Sequence, residues 1–321
     1  MAHLTHQILS QYSQDGLPCS ELDTKDYEAR VDWSRIPRPQ ADGYDTELAL
    51  MFARAQGCAR AHLGGSRQFL DGKVGLVSSA ADWSADCVPA PIRHPSVHRA
   101  SALLSSVWPA LYRQAQSLVE SVTIYLGTNV SRHSVAATKS SHSIDGFGTI
   151  TAAINHPVGF AESIAHELAH IKLIYLGVGL ESAQRLFRNT REQVFQSPAR
   201  HDCYRPMTAV IHAQYAVLHV SALDIAAIRA GADGALSRRI AGQSLARHLP
   251  WLSFGMGVIS GNAVLTGAGA RFMAGLCEWC ETTLSQGYEI LDRFGIPAAQ
   301  LLHPLPDPGS ATDQRHRILR A

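Results

Sequence analysis

Two histidines four residues apart, His166 and His170, place the strongest constraint on this chain, because they enclose Glu167 in the pentapeptide His-Glu-Leu-Ala-His. Residues at i and i+4 share one face of an α-helix, so both imidazoles can bind a single ion. Glu167, about 100° further round the helix, then lies beside that ion. The neighbouring residues are apolar, which predicts a mostly buried helix, and buried imidazoles need partners. The sequence therefore predicts a helix over residues 159–176 with His166 and His170 as metal ligands.

The third ligand decides which class of metal site this would be. Leu173 and Leu176 stand where metzincins have Gly and His, which excludes that class. In gluzincins the third ligand is a glutamate on a following helix, and Glu192, on a helix predicted near 181–196, has a suitable position. One interpretation is therefore a zinc metallopeptidase with Glu167 as the general base and Glu192 as the third ligand.

Glu162 lies on the same helical face as the histidine pair, four residues before His166. Ligands at positions 162, 166 and 170 would span about 12 Å of the helix axis, which is too far for one ion. We therefore expect Glu162 to orient one of the imidazoles and not to bind the metal itself.

A second apolar helix, predicted over residues 206–230, offers the better third ligand. It carries His212 and His219 seven residues apart, hence on one stripe of a mostly buried helix. A histidine on such a face is commonly a core residue with its hydrogen bonds satisfied, and we expect this of His219. His212 is the candidate ligand, and Arg205, at the start of the helix, can hold a carboxylate through two hydrogen bonds.

These motifs resemble those of the "HEXXH motif" domain proteins, which accompany peptide natural-product pathways. The resemblance covers roughly residues 90–295, and its segments follow one another in the same order. They are Ser140-Ser141, Gly146-Phe-Gly148, a strand at 149–155, the His-Glu-x-x-His helix with Lys172, and Tyr204-Arg205-Pro206 ahead of His212.

The resemblance implies an iron(II)- and 2-oxoglutarate-dependent oxygenase that hydroxylates a carbon of a residue in a peptide or of a tethered or free amino acid, with Cβ as the expected position. It implies that His166, His170 and His212 bind iron, leaving positions for the 2-oxo acid and dioxygen. Lys172 and Arg205 would hold the 2-oxoglutarate carboxylates, and Glu167 would orient substrate or a ligand. A metal-stabilised recognition module for a precursor peptide is a third, non-catalytic interpretation.

Composition excludes several other functions. The 321 residues carry a formal net charge of +1 without a basic run, which argues against nucleic acid or an anionic membrane as a partner. The N-terminus lacks the basic and apolar segments of a secretion signal, so we expect a cytoplasmic protein with reduced thiols. Cys277 and Cys280 are expected to be two core thiols one helical turn apart.

The pattern of elements predicts a predominantly α protein (α+β) with a small β element. So few strands do not support a double-stranded β-helix, the usual oxygenase fold. We expect an N-terminal extension (1–45), a single catalytic domain (46–295) and a Pro-rich tail (296–321). The remaining predicted elements are helices at 46–61, 98–120 and 269–294 and a strand at 122–126.

Overall fold

The computed structural model describes residues 67–79, 87–128, 140–142, 148–175, 186–198, 204–231 and 234–297. The predicted N-terminal extension, the helix at 46–61 and the tail beyond residue 297 lie outside these ranges. The predicted domain boundaries therefore stay predictions.

Six short strands form one open, mixed sheet. They are β1 (Arg67–Phe69), β2 (Val74–Ser78), β3 (Cys87–Pro89), β4 (Ser121–Gly127), β5 (Ser140–His142) and β6 (Thr149–Ala153). The order across the sheet is β1-β2-β4-β6-β5, and β3 also pairs with β4. Strands β2, β4 and β6 are parallel, whereas β1, β3 and β5 run antiparallel to their neighbours. The sheet does not close into a barrel, in agreement with the predicted fold class.

Helices make up most of the described chain. They are α1 (Pro95–Val107), α2 (Pro109–Leu118), α3 (Pro157–Tyr175), α4 (Met207–Arg229), α5 (Gly234–Asn262) and α6 (Gly267–Arg293). A second small sheet pairs β7 (Val194–Gln196) with β8 (Tyr204–Pro206). The predominantly α class is therefore confirmed. The predicted helix at 98–120 is divided into α1 and α2, because Pro109 starts a new helix directly after Trp108.

Helix α3, which carries the histidine pair, begins where the parallel strands end. The amide of Asn155 accepts the N–H of Gly127 and donates to its carbonyl, each at 2.9 Å. Nδ1 of His156 accepts the N–H of Val158 at 3.2 Å, and its carbonyl accepts the N–H of Phe160. These hydrogen bonds satisfy donors that a helix start leaves unpaired and fix the start of α3 against the sheet.

Almost every described side chain of α3 is buried, because the helix packs against α1, α4, α5 and the strands β5 and β6. Helix α4 is its main helical neighbour and is itself mostly buried. Its length and apolar composition would allow α4 to cross a bilayer, but most of its apolar stretch lies inside the protein. That is the pattern of a core helix.

The prediction of a helix near 181–196 is wrong over the part that the structure describes, residues 186–196. Thr190 donates its N–H to the Gln193 side chain at 2.9 Å, and Asn189 hydrogen-bonds to the backbone of Asn262 and Val264. Such side chain–backbone bonds compete with helix formation, and the apolar residues that follow form β7 instead.

The first half of α5 was not predicted. Its second half contains Pro250 and several glycines, and the helix continues through them to Asn262. The prediction for Cys277 and Cys280 holds. Both thiols are buried in α6, and burial raises the pKa of each to about 12.

Candidate metal centre

His166 and His170 meet on one side of α3, as their spacing predicted. Their Nε2 atoms lie 3.2 Å apart and their rings are arranged edge to face. Two nitrogens bound to one ion at about 2.0–2.1 Å would be roughly 3–3.4 Å apart, so the pair has the separation of two ligands of one metal. The His166 side chain is 36% exposed, which gives the pair access to solvent.

His212 approaches His170 from the other side. Its Nδ1 lies 3.0 Å from Nδ1 of His170, the two rings are stacked, and His212 is buried in α4. His170 therefore faces His166 with one nitrogen and His212 with the other. Metal-bound imidazoles commonly hydrogen-bond through the nitrogen that does not bind the metal. The structure thus places His212 as a hydrogen-bond partner of His170, where the sequence predicted a third ligand.

A complete set of three metal donors is not assembled in the part of the chain that the structure describes. Glu192 is exposed in the turn before β7, where hydrogen bonds from its own backbone and from Thr190 lower its carboxyl pKa. The helix on which a gluzincin ligand would lie is absent from residues 186–198. The described residues therefore supply a candidate pair of ligands.

Glu167 lies beside the pair. Its side chain is only 3% exposed, and Oε1 is 4.0 Å from Nε2 of His166, the nitrogen that faces His170. A carboxylate at this position can hold a proton or a water molecule next to a bound ion. This placement suits either role expected of Glu167, as a general base or as a group that orients a ligand.

His219 has partners for both ring nitrogens. Its Nδ1–H donates to the Tyr215 carbonyl at 2.8 Å, so Nε2 accepts from the Lys172 ammonium at 2.9 Å. The rings of Trp108 and Trp279 pack against the imidazole. His219 is therefore a core residue with satisfied hydrogen bonds, as expected.

Lys172 is fully buried, and its ammonium also lies over the Tyr215 ring, 5.5 Å from the centroid. It follows His170 by two residues, which places it about 200° round the helix from that ligand. Its side chain thus contacts the α4 core. Arg205, the other residue expected to hold the co-substrate, is half-buried on β8, directly before α4.

The carboxyl group of Glu162 faces Asp224 of α4, and the α5 residues Ser244 and Arg247 lie near both. That Glu162 orients an imidazole therefore stays a prediction, and its observed neighbour is Asp224. No sequence pattern indicates this pair, because Asp224 is an isolated acidic residue on an apolar helix. Only the packing of α3 on α4 brings the two carboxyl groups together.

His248 of α5 is a further residue near the histidine pair that sequence reasoning missed. Its Nδ1 lies 3.4 Å from the Ser244 hydroxyl, and its ring packs against Trp251. Burial, the positive charge of Arg247 and the neighbouring His166 lower the pKa of His248 to about 3. A neutral imidazole therefore lies on the α5 side of His166.

The chain matches no protein-family model and no curated protein. The arrangement of its own residues must therefore carry any functional proposal.

We expect His212→Ala to weaken metal binding about 10- to 100-fold without abolishing it, because His170 would lose a supporting hydrogen bond and keep its metal bond. His212→Gln retains a group that can accept from His170 and should bind metal more tightly than the alanine variant. Competition titration of the apoprotein with zinc against a chelator measures both affinities. If His212→Ala loses its metal as completely as His170→Ala does, His212 is the third ligand.

Proposed function

We propose that this protein is an iron(II)- and 2-oxoglutarate-dependent oxygenase of peptide natural-product biosynthesis. Its substrate would be a residue of a peptide, or a tethered or free amino acid, hydroxylated at carbon, with Cβ as the expected position. The observation that carries the proposal is the contact of His212 with the His166–His170 pair, across 42 residues of sequence. This joins the same two helices, in the same order, as the family resemblance implies.

Bound iron(II) would supply the redox chemistry that activates dioxygen together with a 2-oxo acid. The chain would supply the remaining functions. His166 and His170 would hold the metal through Nε2, and His212 would fix the proton of His170 on the Nδ1 side. Glu167 would orient substrate from its buried position, and the exposed edge of His166 would face the incoming substrate.

A peptide substrate is supported by the position of β5. In the described part of the chain β5 lies at the edge of the sheet and packs against α3. The edge of a sheet presents backbone groups with which an extended peptide can pair as an added strand. A peptide bound in this way would lie beside the helix that carries the histidine pair.

We expect Arg205→Met to raise the 2-oxoglutarate concentration needed for half-maximal turnover by about 10- to 100-fold. This is the cost of losing a charge-assisted hydrogen bond of about 1.5–3 kcal/mol. Metal content should stay unchanged. Lys172→Met should act mainly on stability, because its ammonium contacts the buried His219. If the 2-oxoglutarate concentration for half-maximal turnover rises in Lys172→Met and not in Arg205→Met, Lys172 binds the co-substrate and Arg205 does not.

A second candidate function is a zinc metallopeptidase, favoured by the buried Glu167 carboxylate 4.0 Å from His166 Nε2. In such an enzyme Glu167 would activate a metal-bound water, so Glu167→Gln would abolish turnover. An oxygenase does not need this base. Its Glu167→Gln variant should still convert 2-oxoglutarate to succinate.

The two functions are separated by supplying peptide libraries to wild-type protein and to Glu167→Gln, with either iron(II), 2-oxoglutarate and air or zinc alone. Mass spectrometry then detects a gain of one oxygen atom or a cleaved peptide. The proposal expects oxygen insertion with iron in both proteins. Cleavage by the zinc form that disappears in Glu167→Gln would establish the peptidase.

A further inference from the structure

Two carboxyl groups face each other in the interior, between the two helices that carry the histidine centre. Glu162 on α3 is 4% exposed and Asp224 on α4 is fully buried. Glu162 precedes His166 by one helical turn, and Asp224 follows His212 by twelve residues. The pair thus belongs to the same α3–α4 contact as His170 and His212.

These carboxyl groups lack ordinary hydrogen-bond donors. Among the described residues, no donor reaches Oε1 of Glu162 or either carboxyl oxygen of Asp224 with good hydrogen-bond geometry, although the Ser244 hydroxyl lies near both groups. Two buried negative charges side by side would be strongly unfavourable, and buried acceptors without a donor are also costly. A proton on one carboxyl group removes both penalties, because it cancels one charge and donates to the other group.

The surroundings favour keeping one negative charge but not two. The Ser244 hydroxyl and the positive charge of Arg247, both from α5, act on each carboxyl group. Arg247 is exposed, so solvent weakens its effect. One nearby cation can balance one carboxylate, which leaves the second group to hold a proton.

We propose that Glu162 and Asp224 share one proton and form a pH-sensitive clamp between α3 and α4. While the proton is present, a carboxyl–carboxylate hydrogen bond holds the two helices together beside the histidine centre. When it is lost, two adjacent buried carboxylates repel each other and the α3–α4 contact weakens. This clamp does not depend on the metal or on the reaction proposed above.

The direction of the pH effect follows from the burial of the pair. Burial raises the pKa of Glu162 from its ordinary value of 4.5 to about 7, and burial and the Glu162 charge raise the pKa of Asp224. A group whose pKa is raised on folding contributes stability that is present at low pH and is lost as the pH rises through the folded value. The Glu162 contribution is therefore complete below about pH 4.5 and is lost as the pH rises to about 7, and the raised pKa of Asp224 acts in the same direction.

The test is the pH dependence of the folding equilibrium, measured by urea denaturation of the full chain at pH 4.5 and at pH 8.5. Loss of the Glu162 contribution should lower the wild-type folding constant by about 100-fold across this range. Glu162→Gln and Asp224→Asn keep the shape and supply a permanent N–H donor, so each should remove most of that loss. Glu289→Gln, which changes an exposed glutamate of α6, should leave it intact.

An equal loss of stability in wild type, Glu162→Gln and Asp224→Asn would overturn the proposal. A stability at pH 8.5 that is restored by a divalent cation and removed by a chelator would also overturn it, since the pair would then hold a metal. The infrared band of a protonated, buried carboxyl group tests the proposal in the wild type. We expect it at pH 6, and its absence at pH 6 would contradict the shared proton.

Discussion

His166→Ala and His170→Ala should each lose the bound metal completely when wild-type protein retains a stoichiometric amount. Each substitution removes one of the two nitrogens that lie 3.2 Å apart, and a single imidazole cannot hold the ion in their place. The effect should therefore exceed the 10- to 100-fold loss of affinity that is typical of a residue supporting a ligand. Elemental analysis of protein prepared without chelators or affinity metals measures it directly.

His98→Ala is the matched control, because His98 is exposed on α1. It should retain the wild-type metal content, and all three variants should unfold cooperatively by circular dichroism. Full metal content in both His166→Ala and His170→Ala would place the metal elsewhere and remove the basis of the proposed function.

Gly269→Ala should destabilise the fold by about 2–3 kcal/mol, although alanine is a better helix former than glycine. A Cβ atom at this position of α6 would lie 1.9 Å from the backbone carbonyl oxygen of Leu186. Backbone cannot yield as a side chain can, and this segment is also tied down by the hydrogen bond from Thr266 N–H to the same carbonyl. Chemical denaturation gives the free energy of unfolding.

Gly261→Ala is the opposite case on α5, since a Cβ atom there would meet nothing within 4 Å. It should stabilise the protein by up to about 1 kcal/mol through helix propensity. If both substitutions stabilise the protein equally, the close approach of α6 to the 186–190 segment is incorrect.

The elements that the sequence predicted well are those in which local pattern and burial agree. Helix α3 combines an apolar pattern all round with the paired histidines, and β4 and β6 are short runs rich in β-branched residues. The prediction of a helix at 186–196 is wrong because local pattern and tertiary contacts disagree there. Its few apolar residues are also compatible with a strand. A local hydrogen bond from Thr190 to Gln193 and a distant one from Asn189 to Asn262 decide the outcome.

The histidine pair was predictable because its geometry depends only on spacing within one helix. The roles of His212 and Glu162 depend on how α4 and α5 pack against α3, which spacing does not encode. Sequence could therefore place His212 near the pair but not identify the nitrogen of His170 that it meets. For the same reason Asp224 and His248 carried no signal until the helices were assembled.

The central claim is that the histidine pair binds iron(II) together with a 2-oxo acid, and anaerobic absorption spectroscopy tests it most directly. Apoprotein is titrated with iron(II), with 2-oxoglutarate and with both, and His170→Ala is treated in the same way. We predict a weak visible charge-transfer band only in wild-type protein that has received both, because the band needs iron(II) and the 2-oxo acid bound together. No band in wild-type protein that has been shown to bind iron would contradict the oxygenase assignment.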